Sequence, residues 1–128
     1  MIVLDASVLI GHLDDTDAHH DAARQLLLRH AADDLAASLV TLAEVLVGPA
    51  RAGHVDRATA VLRALGVRSV PLDTDDQVRL ALLRAETGLK LPDCCVLLAA
   101  EQQSGAVATF DHRLAGAARD RGQDVLGV

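Results

Sequence analysis

The chain opens with Met1-Ile2-Val3-Leu4-Asp5-Ala6-Ser7-Val8-Leu9-Ile10, the stretch that decides its fold. Ile2, Val3 and Leu4 form a short apolar run with two β-branched members, which predicts a strand buried on both faces. Asp5 ends that run, and the apolar residues after it are spaced for a helix. An acidic residue therefore stands where a strand gives way to a helix. In open parallel sheets, ligands collect at the carboxyl ends of the strands.

Strand-like and helix-like segments alternate along the rest of the chain. The predicted order is β-α-α-β-α-α-β-α-α-β-α-β, and helical crossovers of this kind connect parallel strands. The predicted strands are 2–4, 35–38, 67–72, 106–109 and 125–128, and the predicted helices begin near residues 7, 18, 41, 55, 74, 94 and 111. We therefore predict a single domain over residues 1–128, with a three-layer α/β/α fold and a central parallel sheet of four to five strands.

Helix boundaries are predicted from capping residues and helix breakers. Asp17 is expected to cap the second helix and Thr41 the third, because short polar side chains satisfy the free N–H groups of a first turn. Gly48-Pro49 is expected to interrupt or kink the third helix. The segment Cys94–Glu101 is apolar all round, which predicts a central helix.

The composition excludes some kinds of nucleic-acid-binding protein. There is one Phe and no Tyr or Trp, so aromatic platforms for stacking bases are not expected, which argues against RNA-recognition modules and single-strand-binding barrels. The net charge is −6, opposite to that of a protein that grips nucleic acid by charge alone. Most of the 18 acidic residues are Asp, a bias that a metal site built from carboxylates would produce.

The cysteines and the hydropathy pattern indicate the compartment. Cys94 and Cys95 are adjacent within an apolar run, so we expect buried thiols in a reducing environment. No apolar segment approaches membrane-spanning length, and no signal-peptide pattern precedes the first strand. We expect a cytoplasmic protein with no membrane contact.

Four acidic residues stand out by their context. Asp5 follows the first strand, Asp93 begins the buried helix and Asp111 follows the strand 106–109, while Glu44 lies within an apolar helix. Each aspartate taken singly is a reasonable helix cap. Capping does not account for Glu44, because an acid among apolar neighbours carries a desolvation cost unless it faces solvent. On the residues alone, a solvent-facing Glu44 and a functional one stay equally open.

Taken together, the four acids favour one site. Neighbouring strand ends and the helices beside them can converge on one pocket, where unpaired carboxylates would repel one another and raise their pKa values. Hard divalent cations such as Mg²⁺ or Mn²⁺ relieve that repulsion, because they prefer oxygen ligands. A carboxylate-held ion can activate water against a phosphodiester, which is the chemistry of metal-dependent nucleases.

Four stretches of the sequence carry a family resemblance. Ile2-Val3-Leu4-Asp5-Ala6-Ser7, Leu42-Ala43-Glu44-Val45, Leu91-Pro92-Asp93 and Ala108-Thr109-Phe110-Asp111 resemble, in order and spacing, the acidic motifs of PIN-domain nucleases. The similarity covers the whole chain and is greatest to the VapC toxins of bacterial toxin–antitoxin pairs. Each motif is weak alone, and the ordered set is the specific feature.

The resemblance implies a function and a set of site residues. It implies an endoribonuclease toxin of a type II toxin–antitoxin module, whose Asp5, Glu44, Asp93 and Asp111 bind Mg²⁺ or Mn²⁺ and carry catalysis. Ser7 and Thr109 match small hydroxyl residues that support the first and fourth acids, through hydrogen bonds to a ligand carboxylate or a water. The implied partners are an RNA substrate, a second copy of the chain in a homodimer, and a cognate antitoxin that presents basic residues to the acidic pocket.

Several alternatives are weighed against this reading. A catalytically silent PIN-like module that binds RNA or protein, and a PIN nuclease of RNA maturation without an antitoxin, share the same motifs. A transition-metal site in the stretch His12 to Asp21, which holds His12, Asp14, Asp15, Asp17, His19, His20 and Asp21, matches no standard spacing and is better explained as a solvated loop. Haloacid-dehalogenase-like and receiver-like domains are disfavoured, since the second acid of the former and the late Lys of the latter are missing.

Arginine residues are the expected phosphate contacts. Five of them, Arg24, Arg51, Arg57, Arg84 and Arg113, are free by sequence to hold RNA or an acidic partner, and a solvated helix face is the default for each.

Overall fold

Five parallel strands form one sheet in the computed structural model, which describes all residues from 1 to 128. The strands are β1 (Ile2–Leu4), β2 (Leu35–Ser38), β3 (Val67–Val70), β4 (Ala106–Ala108) and β5 (Val125–Leu126). Their spatial order is β3-β2-β1-β4-β5, and every neighbouring pair is parallel. The predicted α/β fold with a central parallel sheet is confirmed.

Helices fill every connection between the strands. They are α1 (Ala6–Leu13), α2 (His20–Arg29), α3 (Leu39–Arg51), α4 (Val55–Ala64), α5 (Asp76–Thr87), α6 (Leu91–Gln103) and α7 (His112–Asp120). The order of elements is the predicted one.

Two helix starts differ from the prediction because a neighbouring residue takes the expected role. Ser38 caps α3, since its Oγ accepts the N–H of Val40 at 3.3 Å, while Thr41 lies buried in the first turn of the helix. Asp17 accepts the N–H of His19 at 2.8 Å in a turn, and α2 begins only after it, at His20.

Gly48-Pro49 does not interrupt α3, which continues to Arg51. Proline removes one N–H donor and its ring crowds the preceding turn. The cost is small here because only three residues of α3, from 49 to 51, remain in the last turn.

Two hydrophobic cores lie on opposite faces of the sheet. Alternate strand residues divide between them: Val3, Ala36, Val70 and Val107 face one core, while Ile2, Leu4, Leu35, Ala37 and Ala108 face the other. The predicted central helix is α6, whose residues 94–100 are all buried. The first turn of α6, residues 91–93, precedes this buried part and is partly exposed.

The strand order of the sheet changes direction between β1 and β4. From β1 the chain moves outward to β2 and β3, then returns to place β4 on the other side of β1. Neighbouring crossovers therefore lead away from the β1–β4 pair on opposite sides, which opens a crevice at the carboxyl ends of these strands. Asp5 follows β1 and Thr109 follows β4 at that crevice.

Candidate metal centre

Asp5 is buried at the crevice and is tied to both strands beside it. Its backbone N–H extends the ladder of β1 by donating to the carbonyl oxygen of Ala108 at 2.9 Å. Its side-chain Oδ2 accepts two hydrogen bonds, one from the hydroxyl of Ser7 and one from the hydroxyl of Thr109, each at 2.8 Å. The side chain is only 7% exposed and makes no cap bond to α1. Asp5 is therefore oriented by two hydroxyls and does not act as a side-chain cap.

The same two hydroxyls also hold the segment after β4. Ser7 Oγ accepts the N–H of Phe110 at 3.0 Å, and Thr109 Oγ1 accepts the N–H of Asp111 at 3.0 Å. Each hydroxyl thus donates to the Asp5 carboxylate and accepts from the backbone that leads to Asp111. This network couples the first acidic motif to the fourth across 104 residues of sequence.

Asp111 caps α7 as well as lying beside this network. Its Oδ1 accepts the N–H groups of Arg113 at 2.8 Å and Leu114 at 3.3 Å, so the capping interpretation is correct for this aspartate. Only one oxygen of the carboxylate is used in this way. The other oxygen is free of cap bonds, and capping does not exclude a second role.

Asp93 lies in the first turn of α6, directly after Pro92, and is half-buried. Burial raises the pKa of Asp93 above its ordinary value, and the charges of Asp5 and Asp111 raise it further. Lys90 and Arg113 act in the opposite direction on this pKa. Asp93 is thus close to two other acids of the predicted quartet and to two cations.

Glu44 stands on the solvent-facing side of α3, at the edge of the same acidic group. Partial burial raises the pKa of Glu44, and the charges of Asp5 and Asp93 raise it further. Its solvent-facing position lowers, but does not remove, the desolvation cost posed by its apolar neighbours. The charges of Asp5 and Asp93 act on its pKa, so Glu44 lies within electrostatic range of both acids.

The donor set suits a hard divalent cation. All four groups offer carboxylate oxygens, and the mutual repulsion that raises the pKa values of Glu44 and Asp93 is relieved by a bound cation. In the present side-chain arrangement, no three acidic, histidine or cysteine side chains converge closely enough to hold an ion jointly.

A cleft of about 530 Å³ opens beside Glu44, between α1, α3 and α4. Its walls combine apolar residues with acidic and basic ones: Ile10, Leu13, Asp14, Asp15, Glu44, Val45, Gly48, Pro49, Ala52, His54, Arg57, Ala58 and Val61. The sequence does not reveal this cleft, because its walls come from three separate helices.

The sequence predicts only part of the cationic and aromatic surroundings of the site. Arg113 is among the five candidate arginines, whereas no motif singles out Lys90, the N-cap residue of α6. The ring of Phe110 stacks on His19, with centroids 4.8 Å apart. The position of Phe110 between two motif residues was the only available signal for that pair.

The remaining candidates have ordinary structural roles. In the His/Asp-rich stretch, Asp14 accepts the N–H and hydroxyl of Thr16, and His20 Nδ1 bonds the carbonyl oxygen of Gly11. Cys94 and Cys95 are free thiols in the core. None of the helices is long and apolar enough to cross a membrane.

Comparison with known proteins gives one family and many similar structures. The family model for the PIN domain matches residues 2–120. A toxin–antitoxin complex from Klebsiella pneumoniae contains a chain 26% identical to this one, with 90% of each chain covered and a TM-score of 0.73. A search of curated protein sequences finds no significant match.

Two further structures share the fold at lower identity. VapC20 of Mycobacterium tuberculosis, described as a toxin that cleaves the sarcin–ricin loop, is 18% identical, with 91% of this chain and 95% of that chain covered and a TM-score of 0.77. FitAcB from Neisseria gonorrhoeae is 24% identical, with 98% and 96% covered and a TM-score of 0.74.

Proposed function

This chain belongs to the PIN-domain family, and we propose that it is a metal-dependent endoribonuclease that acts as the toxin of a type II toxin–antitoxin pair. The observation that carries the proposal is the hydrogen-bond network at the β1–β4 crevice, in which Ser7 and Thr109 orient the buried carboxylate of Asp5 and hold the backbone that leads to Asp111. Burial raises the pKa of Glu44, and the charges of Asp5 and Asp93 raise it further; a bound cation would offset that repulsion.

Asp5, Glu44, Asp93 and Asp111 would hold Mg²⁺ or Mn²⁺ and form the catalytic set. When bound, such an ion activates water and stabilises the charge that develops on a phosphodiester during hydrolysis. Ser7 and Thr109 fix the orientation of the Asp5 carboxylate through Oδ2, which leaves Oδ1 free of hydrogen bonds from the protein. Outer hydrogen bonds of this kind orient ligands in metal sites.

Lys90 and Arg113 would contact the RNA backbone. Both lie close enough to Asp93 to lower its pKa. The guanidinium of Arg113 is exposed and near the carbonyl oxygen of Gly88, at 3.5 Å. Local cations of this kind allow phosphate binding in a protein whose net charge is −6.

The cleft beside Glu44 would receive a segment of the antitoxin. Its apolar walls, including Ile10, Leu13, Val45 and Val61, suit apolar side chains, while Glu44 suits a basic side chain that reaches toward the acids. Support comes from the toxin–antitoxin complex from Klebsiella pneumoniae, which shares the fold at 26% identity.

We also propose a homodimer, as the family resemblance implies. The exposed Val78 and Leu82, one helical turn apart on α5, offer an apolar strip that a second copy would cover. Light scattering of the purified chain tests this: a dimer mass is expected, and a monomer at micromolar concentration would refute it.

Controlled expression in a bacterial host tests the proposed toxin activity. Wild type is expected to arrest growth and yield RNA cleaved at discrete positions, whereas Asp93→Asn should do neither. Asp120→Asn, a matched change at the far end of α7 from Asp111, should behave as wild type. Arrest and cleavage by Asp93→Asn at the wild-type level would show that the nuclease assignment is wrong.

The same experiment separates the remaining alternatives. A catalytically silent binding module would leave RNA intact in all strains. A nuclease of RNA maturation would cleave RNA without a dedicated inhibitor. A small gene that overlaps the start of this one, and whose product restores growth, identifies the toxin; absence of any such neighbour would favour RNA maturation.

A further inference from the structure

The only stacked ring pair in the chain includes the residue between Thr109 and Asp111. Phe110 is the single Phe of the sequence, and its ring stacks on the imidazole of His19 with an interplanar angle of 14°. Phe110 is 9% exposed, whereas His19 is exposed. The outer face of the imidazole is therefore the surface that this pair presents to solvent.

Phe110 is held in place by the hydrogen-bond network of the crevice. It lies between Thr109 and Asp111, and its backbone N–H donates to Ser7 Oγ at 3.0 Å. The same hydroxyl donates to the carboxylate of Asp5 at 2.8 Å. The aromatic pair is thus positioned by the residues that orient Asp5.

His19 is also held from its own side. Its N–H donates to Asp17 Oδ1 at 2.8 Å, and its carbonyl oxygen accepts the N–H of Ala23 at 2.8 Å. That carbonyl oxygen lies 3.3 Å from the position a Cβ would take at Gly11, so the backbone packs closely on α1. An imidazole fixed in this way loses little conformational entropy when another ring stacks on it.

We propose that His19 is a substrate-positioning residue whose outer face stacks against a nucleobase of the RNA, next to the phosphodiester at the acidic group. This inference rests on the proposed function, since it names how that site holds its substrate. Stacking on an aromatic ring accepts any base, because every base has a π-face. Phe110 supports the imidazole from beneath, and its burial prevents it from offering a face of its own.

This proposal departs from the expectation drawn from composition. The near-absence of aromatics indicates that platforms for base stacking are not available, whereas the imidazole stacked on the single Phe would make one. The sequence separation of His19 and Phe110 explains why no local pattern reveals it.

Two variants at His19 and one control variant at His30 test the proposal. His19→Ala removes the ring, His19→Phe keeps a flat ring without nitrogen atoms, and His30→Ala removes an imidazole from the other end of α2. The probe is a fluorescein-labelled, single-stranded RNA of mixed sequence. Cleavage in saturating Mn²⁺ gives kcat and KM, and anisotropy without added metal gives the Kd for the same RNA.

Loss of the ring is expected to weaken RNA binding without damaging the chemistry. His19→Ala should raise KM and Kd roughly 5- to 150-fold, which is the range for one stacked base, and leave kcat within about twofold. His19→Phe should restore wild-type KM, and His30→Ala should not change it. A merely structural role for His19 would lower the melting temperature without moving KM.

The outcomes distinguish this inference from the proposed function. If wild type cleaves RNA and His19→Ala has wild-type KM and Kd, the stacking role is refuted while the nuclease assignment stands. If His19→Phe is as weak as His19→Ala, the imidazole acts through its nitrogen atoms and the stacking role is again refuted. If wild type binds RNA through His19 without cleaving it, the stacking role stands and the nuclease assignment fails.

Discussion

Asp5 is the residue at which two interpretations of the sequence separate. A carboxylate between a strand and a helix is usually a cap, and Asp111 does cap its helix with two hydrogen bonds. Asp5 makes no cap bond, and its Oδ2 instead accepts the hydroxyls of Ser7 and Thr109. Two donors on one oxygen orient the carboxylate, which is the kind of support that the proposed metal ligand would need.

Replacing Thr109 by Val tests the role of the buried hydroxyl. The change removes the donor to Asp5 and leaves the N–H of Asp111 without its acceptor, so we expect a loss of about 1–3 kcal/mol in the free energy of unfolding. Mn²⁺ affinity should fall roughly 10- to 100-fold. Urea denaturation and Mn²⁺ titration measure the two effects.

Thr59→Val is the matched control, because its hydroxyl donates only to the carbonyl oxygen of Val55 in its own helix. This variant should keep wild-type Mn²⁺ affinity. Equal affinities for wild type and Thr109→Val would show that the hydroxyl does not support a ligand.

The raised pKa values of Glu44 and Asp93 predict how metal-free stability depends on pH. A carboxyl whose pKa is higher in the folded chain binds more protons there, so stability is greatest below its unfolded-state pKa of about 4 and falls as pH rises through the folded-state value. Glu44→Gln should reduce this fall, by less than about 1 kcal/mol because the side chain is largely exposed.

Thermal unfolding between pH 4 and pH 7, with a chelator present, measures that fall. Asp120→Asn is the control and should follow wild type. Added Mn²⁺ should stabilise wild type more at pH 7 than at pH 4, because deprotonated ligands bind the ion. A metal-free Glu44→Gln chain with the same or a steeper fall than wild type would contradict the proposed repulsion.

At the scale of elements, hydrophobic periodicity and the residues that end helices predict most of the fold. The order of strands and helices follows from runs of β-branched residues, from helical spacing and from the glycines that end helices, because these features act locally. The sequence predicts Thr41 as the cap of α3, whereas Ser38 caps it; both residues can serve, and only packing decides between them. The sequence also predicts that Pro49 interrupts or kinks α3, but the helix continues past it, because the cost of a proline depends on how much helix follows.

Only those residues of the acidic site that belong to local sequence motifs can be predicted from the sequence. Strand ends identify Asp5 and Asp111, and their neighbours Ser7 and Thr109 follow from the same motifs. Lys90, His19 and the cleft beside Glu44 depend on which helices meet, and no local pattern encodes that. The position of β4 next to β1 is likewise a property of the whole sheet.

Gly127, which follows β5, packs closely against the backbone of Thr109. Gly127 has φ +105°, and a Cβ there would overlap the carbonyl oxygen of Thr109. Gly127→Ala is expected to cost about 1–3 kcal/mol in unfolding free energy from backbone strain alone, with added cost from the contact. Denaturation in urea measures the loss.

Gly116→Ala is the control for that substitution. Gly116 lies inside α7 with open space around it, so alanine should stabilise the chain by roughly 0.5–1 kcal/mol. Opposite signs for the two substitutions are expected. A neutral Gly127→Ala would show that the segment after β5 moves without affecting Thr109.

At the scale of the whole molecule, charge is distributed unevenly. A net charge of −6 disfavours contact with RNA, so the proposed RNA binding would rely on the few cations near the acids and on the proposed metal. Arg113→Ala should raise KM for RNA several-fold in saturating Mn²⁺ and reduce the salt dependence of binding by about one phosphate contact. Arg63→Ala, at the end of α4, should change neither quantity. An unchanged salt dependence in Arg113→Ala would remove this arginine from the RNA-binding surface.

Cleavage of RNA by the purified chain as a function of Mn²⁺ concentration tests the central claim most directly. Wild type and Asp120→Asn are expected to cleave RNA only when Mn²⁺ is present, and Asp5→Asn, Glu44→Gln, Asp93→Asn and Asp111→Asn should each lose at least about a hundredfold in rate. Cleavage that persists in a chelator, or wild-type rates in the four variants, would contradict a metal-dependent nuclease built on these carboxylates.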